Sequence, residues 1–189
     1  GRRALAALVV LAVAAAVLAP AVRQRRYLFS LSPAAAVRET FLYNPFPEAV
    51  EVAEIVAACS TPGDALAVLG SEPELYFYTG RRPATGHIYM YPLMERQPYA
   101  GRMQAEMIRE IEASEPEILV QVNVAWSWLR QPDSDTSLLA WFQQYARGYD
   151  TVGMVEIRRE GTDVYTDLAA QRRPKPPDQF WIAVLKRRP

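Results

Sequence analysis

The sequence holds almost no cysteine or histidine, since Cys59 and His87 are the single examples of each in 189 residues. One cysteine cannot form an intramolecular disulfide, and one residue of each type cannot supply the ligands of a structural zinc site. A catalytic cysteine–histidine pair would require these two residues to meet. Because Cys59 falls on the apolar stripe of a predicted helix, a buried and unreactive thiol is the expected alternative. No cofactor and no metal are predicted.

The sequence also lacks a charge excess, because 21 basic residues balance 21 acidic ones. A nucleic-acid-binding domain normally shows a clustered basic face, so nucleic acid is not expected among the partners. Half of the residues are apolar. A chain of this length and composition can build one domain with its own core and still carry an appendage.

The appendage is predicted at the start, where residues 4–22 contain no charged or hydrogen-bonding side chain. A helix of this length spans about 28 Å, which is close to the thickness of the hydrocarbon core of a bilayer. Arginines flank it on both sides, and Tyr27 suits an interfacial anchor. We expect residues 1–26 to form a transmembrane helix with basic flanks, 27–43 a linker, and 44–189 an α/β domain.

A secretory signal peptide is the alternative interpretation of this segment. Arg2 and Arg3, the apolar stretch and Ala19-Pro20-Ala21 resemble its three regions. A proline within the cleavage motif disfavours cleavage. Because the chain starts with Gly1 instead of Met, we expect the C-terminal part of a longer protein that retains the span.

Helices and strands alternate in the remaining sequence. Apolar residues at helical spacing predict helices over 47–60, 98–114 and 134–149, the last capped near Asp133 and Ser134. Continuous apolar runs predict buried strands over 65–69 and 118–124, and weaker alternation predicts a short strand over 86–91. Residues 151–158 and 163–167 are predicted to form a hairpin around 159–161, and 180–186 a last strand after the proline-rich connector 174–178.

This order predicts the fold class. Buried strands that alternate with helices are typical of a parallel α/β sheet with right-handed crossovers. The expected architecture is a transmembrane helix followed by a small Rossmann-like α/β sandwich with a C-terminal antiparallel hairpin.

The stretch VLGSEPELYFYTGRR, residues 68–82, has three interpretations. A phosphate-binding loop needs several glycines and usually a lysine, and GSEP offers neither. Glu72 is a candidate acid just beyond the end of a strand, but it has no evident base partner. Ser71 followed by Glu74 instead predicts a capping box for a two-turn helix that ends at Gly80, with Arg81 and Arg82 near its negative end.

Aromatic residues crowd into the same region of the sequence. Tyr89 and Tyr91 lie close in sequence to the arginines of this stretch, and Trp126 and Trp128 follow the second predicted strand. Aromatic faces beside polar donors suit sugar rings or lipid headgroups. The alternative is the edge of an amphipathic core, in which the hydroxyl groups bond locally.

Several of these segments resemble one known family. The resemblance lies in Asn44–Glu48, VLGSEPELYFYTGRR, ATGHIYMYPLME (84–95), ILVQVNVAWSWL (118–129), the helix of residues 103–112 and the spacing of Trp141, Tyr145 and Tyr149. They are similar to the C-terminal soluble domain of bacterial membrane glycosyltransferases of family 39, which have the GT-C architecture. The resemblance covers residues 44–157.

The resemblance implies a function for the whole enzyme and a place for this chain. Such enzymes transfer a sugar from a polyprenyl-phosphate donor to a lipid, glycan or protein acceptor, using acidic residues in a membrane portion that this sequence does not contain. We therefore expect a non-catalytic domain on the periplasmic side of the cell inner membrane, in contact with the bilayer and the parent enzyme. The candidate donor- or acceptor-binding residues are Glu72, Arg81, Arg82, Tyr89, Tyr91 and Trp128.

Two other functions remain open from the sequence. The chain can be a stand-alone, membrane-tethered binding module with no catalytic partner in its own polypeptide. It can also be a soluble hydrolase or nucleotide-dependent enzyme that uses Glu72 and His87 as an acid–base pair at the strand ends, although a fold type alone does not establish an activity.

Overall fold

A computed structural model describes residues 1–158, 161–166 and 179–189. The chain divides into two compact units, Gly1–Phe41 and Leu42–Pro189. The predicted hairpin turn at Arg159 and Glu160 and the predicted connector 174–178 lie outside the described residues.

The first unit is helical. Helix α1 covers Arg2–Arg23, α2 covers Arg25–Phe29 and α3 covers Pro33–Phe41. Helix α1 buries none of its residues and is long and apolar enough to cross a membrane, as judged by length and composition. Most of the predicted linker 27–43 is helical and belongs to this unit.

The second unit alternates helices with the strands of one sheet. Its helices are α4 (Phe46–Cys59), α5 (Glu74–Thr79), α6 (Tyr91–Met94), α7 (Ala100–Ser114), α8 (Ala125–Trp128) and α9 (Ser137–Tyr145), the last followed by a 3₁₀ turn at Ala146–Gly148. Its strands are β1 (Ala65–Leu69), β2 (Arg82–Pro83), β3 (Ile118–Asn123), β4 (Tyr149–Ile157), β5 (Thr162–Tyr165) and β6 (Phe180–Arg187). The described strands form one mixed sheet, and together with the helices they make an α/β fold.

The strand order is β2-β1-β3-β6-β4-β5. Strands β2, β1 and β3 are parallel, whereas β6 pairs antiparallel with both β3 and β4, and β4 pairs antiparallel with β5. The last strand of the chain therefore enters the middle of the sheet and joins a parallel half to an antiparallel half.

Hydrophobic residues form a core on each face of the sheet. One core joins α4 and α5 to Leu66 and Val68 of β1, and the other joins α6, α7 and α9 to Ala67 and Leu69. Successive side chains of a strand point to opposite faces, so a strand covered by helices on both sides is apolar throughout. All five residues of β1 are buried accordingly.

The predictions for buried elements are confirmed. Strand β1 has the predicted limits, β3 ends one residue early at Asn123, and α7 ends at Ser114 before Pro116 as expected. The last strand is also confirmed as β6. The predicted pairing of residues 151–158 with 163–167 is observed between β4 and β5, while the turn that would make them a hairpin stays a prediction.

One prediction of local structure is wrong, and another has the wrong limits. Residues 86–91 contain no strand; the short strand at this sheet edge is β2, and Tyr91 begins α6. The third predicted helix is shorter than expected. Helix α9 begins at Ser137, whose backbone N–H donates to the Asp135 carboxylate at 2.8 Å, and Tyr149 already belongs to β4.

Candidate functional site

The ends of two neighbouring parallel strands bring polar and aromatic side chains together. Strand β1 leads into Gly70, Ser71 and Glu72, and β3 leads into α8 with Trp126 and Ser127. Because β1 and β3 pair in parallel, their carboxyl ends lie at the same edge of the sheet. Open α/β sheets commonly place ligand-binding groups at this edge. We call this region the carboxyl edge.

A chain of hydrogen bonds links the two strand ends. The Ser71 backbone N–H donates to Ser127 Oγ at 2.8 Å, and the Ser127 hydroxyl donates to Glu72 Oε2 at 2.9 Å. Glu72 is only 1% exposed. Its carboxyl group therefore connects the loop after β1 to the loop after β3 and does not face solvent in this structure.

The predicted capping box is wrong. Helix α5 has no side-chain cap, and Ser71 Oγ instead accepts a hydrogen bond from the Met90 backbone N–H at 2.9 Å. Ser71 thus ties the loop before α6 to the carboxyl edge. Glu74 Oε1 is enclosed and accepts no hydrogen bond from the described residues. The predicted C-terminal cap is confirmed, because Gly80 adopts the left-handed conformation with φ of 63°.

Burial changes the ionisation of both carboxyl groups. Removal from water raises the pKa of Glu72 to about 8, and the nearby Glu74 carboxylate raises it further, while the hydrogen bond from Ser127 opposes the shift. Burial also raises the pKa of Glu74. At neutral pH Glu72 is therefore largely protonated, which suits a buried hydrogen-bonding group better than a site for a cation.

Tyr89, which is exposed, and Tyr91, which is half-buried, form an aromatic pair at the carboxyl edge. Their ring centroids are 4.4 Å apart, and the Tyr91 hydroxyl donates to the Trp126 carbonyl oxygen at 2.7 Å. Desolvation, followed by the Tyr89 hydroxyl, raises the pKa of Tyr91 to about 12. Tyr89 is 42% exposed. Tyr91 is thus held by α8, and Tyr89 offers ring surface to solvent.

The two tryptophans of α8 lie in different surroundings. Trp128 packs against the core that contains α7 and α9, and its indole N–H donates to the Val122 carbonyl oxygen at 2.9 Å. Trp126 lies with Tyr43 and Phe180 in a half-buried aromatic cluster, with a centroid distance of 4.8 Å between Trp126 and Phe180. Trp128 is therefore a structural residue more than a surface for ligands.

The two arginines lie at the opposite end of β1. Arg82 pairs with Ala65, the first residue of β1, so roughly 13 Å of strand separates it from the carboxyl edge. Arg81 is 9% exposed and donates to the Thr79 carbonyl oxygen at 2.7 Å, consistent with the predicted position at the C-terminal end of α5. It also donates to the Ser60 hydroxyl and carbonyl oxygens, each at 3.1 Å. The arginines do not join Glu72, Tyr89 and Tyr91 in one site.

Replacing Arg81 with methionine is expected to lower the free energy of unfolding by about 2 kcal/mol, because the carbonyl oxygens of the half-buried Ser60 and the buried Thr79 lose their donor. Arg82→Met is the matched control at an exposed position and should change it by less than about 0.5 kcal/mol. Urea unfolding in detergent micelles, followed by tryptophan fluorescence, reports on this unit alone, because all four tryptophans lie within it. Equal losses in both variants would contradict a structural role specific to Arg81.

The remaining reactive side chains have partners of their own. His87 Nε2 lies 3.5 Å from Glu106 Oε2, so His87 pairs with α7, while Glu72 bonds to Ser127. The acid–base pair proposed for a hydrolase is not formed in this structure. Cys59 is half-buried, burial raises the pKa of its thiol, and its Sγ donates to the Val56 carbonyl oxygen.

The sequence did not indicate Ser127, Tyr43 or Phe180 as members of the carboxyl edge. Tyr43 and Phe180 lie near the two ends of the second unit's sequence, and their rings come into contact only when the chain folds. The carboxyl edge offers the exposed ring of Tyr89 beside Tyr91, whereas the Glu72 carboxyl group and the Ser127 hydroxyl are buried and bonded to each other. Aromatic faces beside polar groups suit the binding of a polar, uncharged ligand. No protein-family model, curated protein or solved structure matches this chain.

Proposed function

We propose that this chain is the membrane-anchored C-terminal portion of an inner-membrane glycosyltransferase that uses a polyprenyl-phosphate-sugar donor. The chain provides a saccharide-binding surface on the periplasmic side, and the catalytic residues lie in a membrane portion outside these residues. One observation carries this proposal: Tyr89, Tyr91 and Trp126 lie together at the carboxyl edge of a chain whose α1 has the length and composition of a membrane span.

The aromatic pair is suited to a sugar ring for a physical reason. The C–H faces of a pyranose or furanose pack on aromatic rings, while its hydroxyl groups need hydrogen-bonding partners at the rim. Tyr89 provides an accessible ring, and Tyr91 is held in place by its bond to Trp126. The cations that would favour a phosphate, Arg81 and Arg82, lie at the other end of β1.

The acceptor is therefore the more suitable ligand of this surface than the phosphate of the donor. When Glu72 or Glu74 ionises, its carboxylate adds a negative potential that disfavours an anionic group at the carboxyl edge. Within this proposal, the parallel half of the sheet, β2-β1-β3 with its connecting helices, is Rossmann-like and carries the surface at its carboxyl edge.

Replacing Tyr89 with alanine is expected to weaken saccharide binding about tenfold, because one stacking ring is lost. The full chain in lipid nanodiscs is titrated with neutral oligosaccharides of mannose, glucose, galactose and arabinose, and binding is followed by saturation-transfer NMR. Phe77→Ala is the control, since Phe77 is an exposed aromatic residue on α5 whose ring contacts Tyr78. Binding that is absent, or equally weakened in both variants, would refute a sugar-binding role for Tyr89.

A stand-alone membrane-tethered binding module is the second candidate. The second unit has two hydrophobic cores of its own, as an independent module needs. Glu72 bonds to Ser127 and His87 pairs with Glu106, so the two do not form an acid–base pair. Sugar transfer from a radiolabelled polyprenyl-phosphate-sugar distinguishes the two functions. The transferase requires a membrane portion with several spans, either in the same polypeptide or copurifying with it. The rate at which that portion transfers sugar to the acceptor should fall when Tyr89 is replaced.

A further inference from the structure

We propose that helix α2 lies in the interface of a phospholipid bilayer, with Leu28 and Phe29 at the boundary of the acyl chains and Arg25 at the level of the lipid phosphates. This interface contact concerns the first unit alone and does not depend on sugar binding. It rests on α1 entering the bilayer, because only Gln24 separates the last residue of α1 from the first residue of α2.

The side chains of α2 divide between two directions. Arg26 pairs with Glu39 of α3 at 3.2 Å, and the Tyr27 hydroxyl lies 2.9 Å from Thr40 Oγ1. These two residues therefore face α3 within the first unit. The other direction is left to Arg25, Leu28 and Phe29, which follow one another at i, i+3 and i+4 and share one helix face.

This second face is apolar and exposed. Leu28 is 50% exposed and Phe29 76% exposed. Isolated exposed apolar residues need no explanation, but these two are adjacent to the end of an apolar helix that can cross a membrane. In helices that lie in a membrane interface, leucine and phenylalanine on the apolar face are buried at the boundary between headgroups and acyl chains. The bilayer that receives α1 is thus the surface that covers Leu28 and Phe29.

The arginines suit the phosphate level of the same interface. Arg23 ends α1 and Arg25 begins the exposed face of α2. An arginine side chain can bury its methylene groups beside apolar neighbours and keep its guanidinium group near polar atoms. A guanidinium group binds phosphate oxygens through two parallel hydrogen bonds, so phospholipid headgroups are the chemical partner that this arrangement fits.

Fluorescent labels at single cysteines test the depth of α2. In a Cys59→Ala background, the full chain in phosphatidylcholine vesicles carries a cysteine-linked nitrobenzoxadiazole label at Phe29→Cys or, as a second reporter, at Leu28→Cys. Ala35→Cys on an exposed position of α3 is the matched control. We expect lipids brominated near the start of the acyl chain to quench the label at 29 or 28 several-fold more strongly than the label at 35. Equal quenching of all three, or equal access to aqueous iodide, overturns the proposal.

A label at Val13→Cys, in the middle of α1, is read with lipids brominated near the end of the acyl chain, and it separates this outcome from failure of the membrane span itself. Quenching at 13 without quenching at 28 or 29 refutes only the interface helix. No quenching at 13 refutes the span as well as the function proposed above.

Anionic lipid tests the assignment of Arg25. Adding phosphatidylglycerol to the vesicles should shift the emission of the label at 29 toward the blue, and Arg25→Gln should reduce this response, with Arg23 keeping the rest. Arg102→Gln, at an exposed arginine of α7, is the charge-matched control and should leave it unchanged. A response that is the same with and without Arg25 overturns its assignment to the lipid phosphates.

Discussion

Replacing Gly70 with alanine is expected to lower the free energy of unfolding of the second unit by about 3 kcal/mol, because the added methyl group overpacks a closed site. A Cβ atom at Gly70 would collide with Glu72 Oε2 and would lie 2.7 Å from both Cβ and Cγ2 of Val122. Val122 belongs to β3 and to the core, so it has little room to move. Urea unfolding followed by tryptophan fluorescence measures the loss.

Gly63→Ala is the matched control for this prediction. No atom of the described residues lies within 4 Å of a Cβ added at Gly63, which does not have a positive φ, so alanine there should be neutral or slightly stabilising. A Gly70→Ala variant as stable as Gly63→Ala would show that the loop after β1 can move away from β3. The closed arrangement of Glu72 over Gly70 would then be wrong.

The elements that the sequence predicted correctly are those whose signals are local. The residues of β1 form a continuous apolar run between turn residues, and both of its faces are covered by helices, so the run and the strand coincide. Pro116 likewise places the end of α7, because a helix rarely continues into the residue before a proline. In both cases the physical cause lies within a few residues of the element itself.

The partners at the carboxyl edge could not be predicted in this way. Ser71 and Glu74 have the spacing of a capping box, but Ser71 Oγ is used by the Met90 backbone N–H and the cap does not form. Glu72 finds its partner Ser127 at a separation of 55 residues. Such partners follow from the pairing of β1 with β3, which a local pattern does not specify.

The same limit applies to the antiparallel half of the sheet. The sequence predicted β6 as the last strand, but its position between β3 and β4 depends on pairing across the whole domain. That position brings Phe180 beside Trp126, with Tyr43 completing the cluster. The sequence therefore indicated that tyrosine and tryptophan lie near these strand ends, but it did not indicate every residue that meets there. It also assigned Arg81 and Arg82 to this surface, although they lie at the other end of β1.

The stability of the second unit is expected to decrease as pH rises through the titration of Glu72. Between pH 4.5 and about 8 the folded protein keeps a proton on Glu72 that the unfolded chain has released. The free energy of unfolding then falls by about 1.4 kcal/mol per pH unit for this group. The contribution is fully present below the unfolded pKa and is lost once the pH exceeds the folded one. Urea unfolding from about pH 5 to about pH 9 measures this slope.

Glu72→Gln should remove most of this pH dependence, because the amide cannot ionise and its oxygen can still accept from the Ser127 hydroxyl. The variant should match the wild type near pH 5 and exceed its stability by several kcal/mol near pH 9. Glu74 and Tyr91 also face Glu72, and Glu74 leaves a smaller slope in the variant. Glu54→Gln, at an exposed position of α4, keeps the full slope because Glu72 is intact. If Glu72→Gln and Glu54→Gln behave alike, Glu72 is accessible to water, and the carboxyl edge is an open acidic site that suits a cationic ligand instead of a neutral sugar.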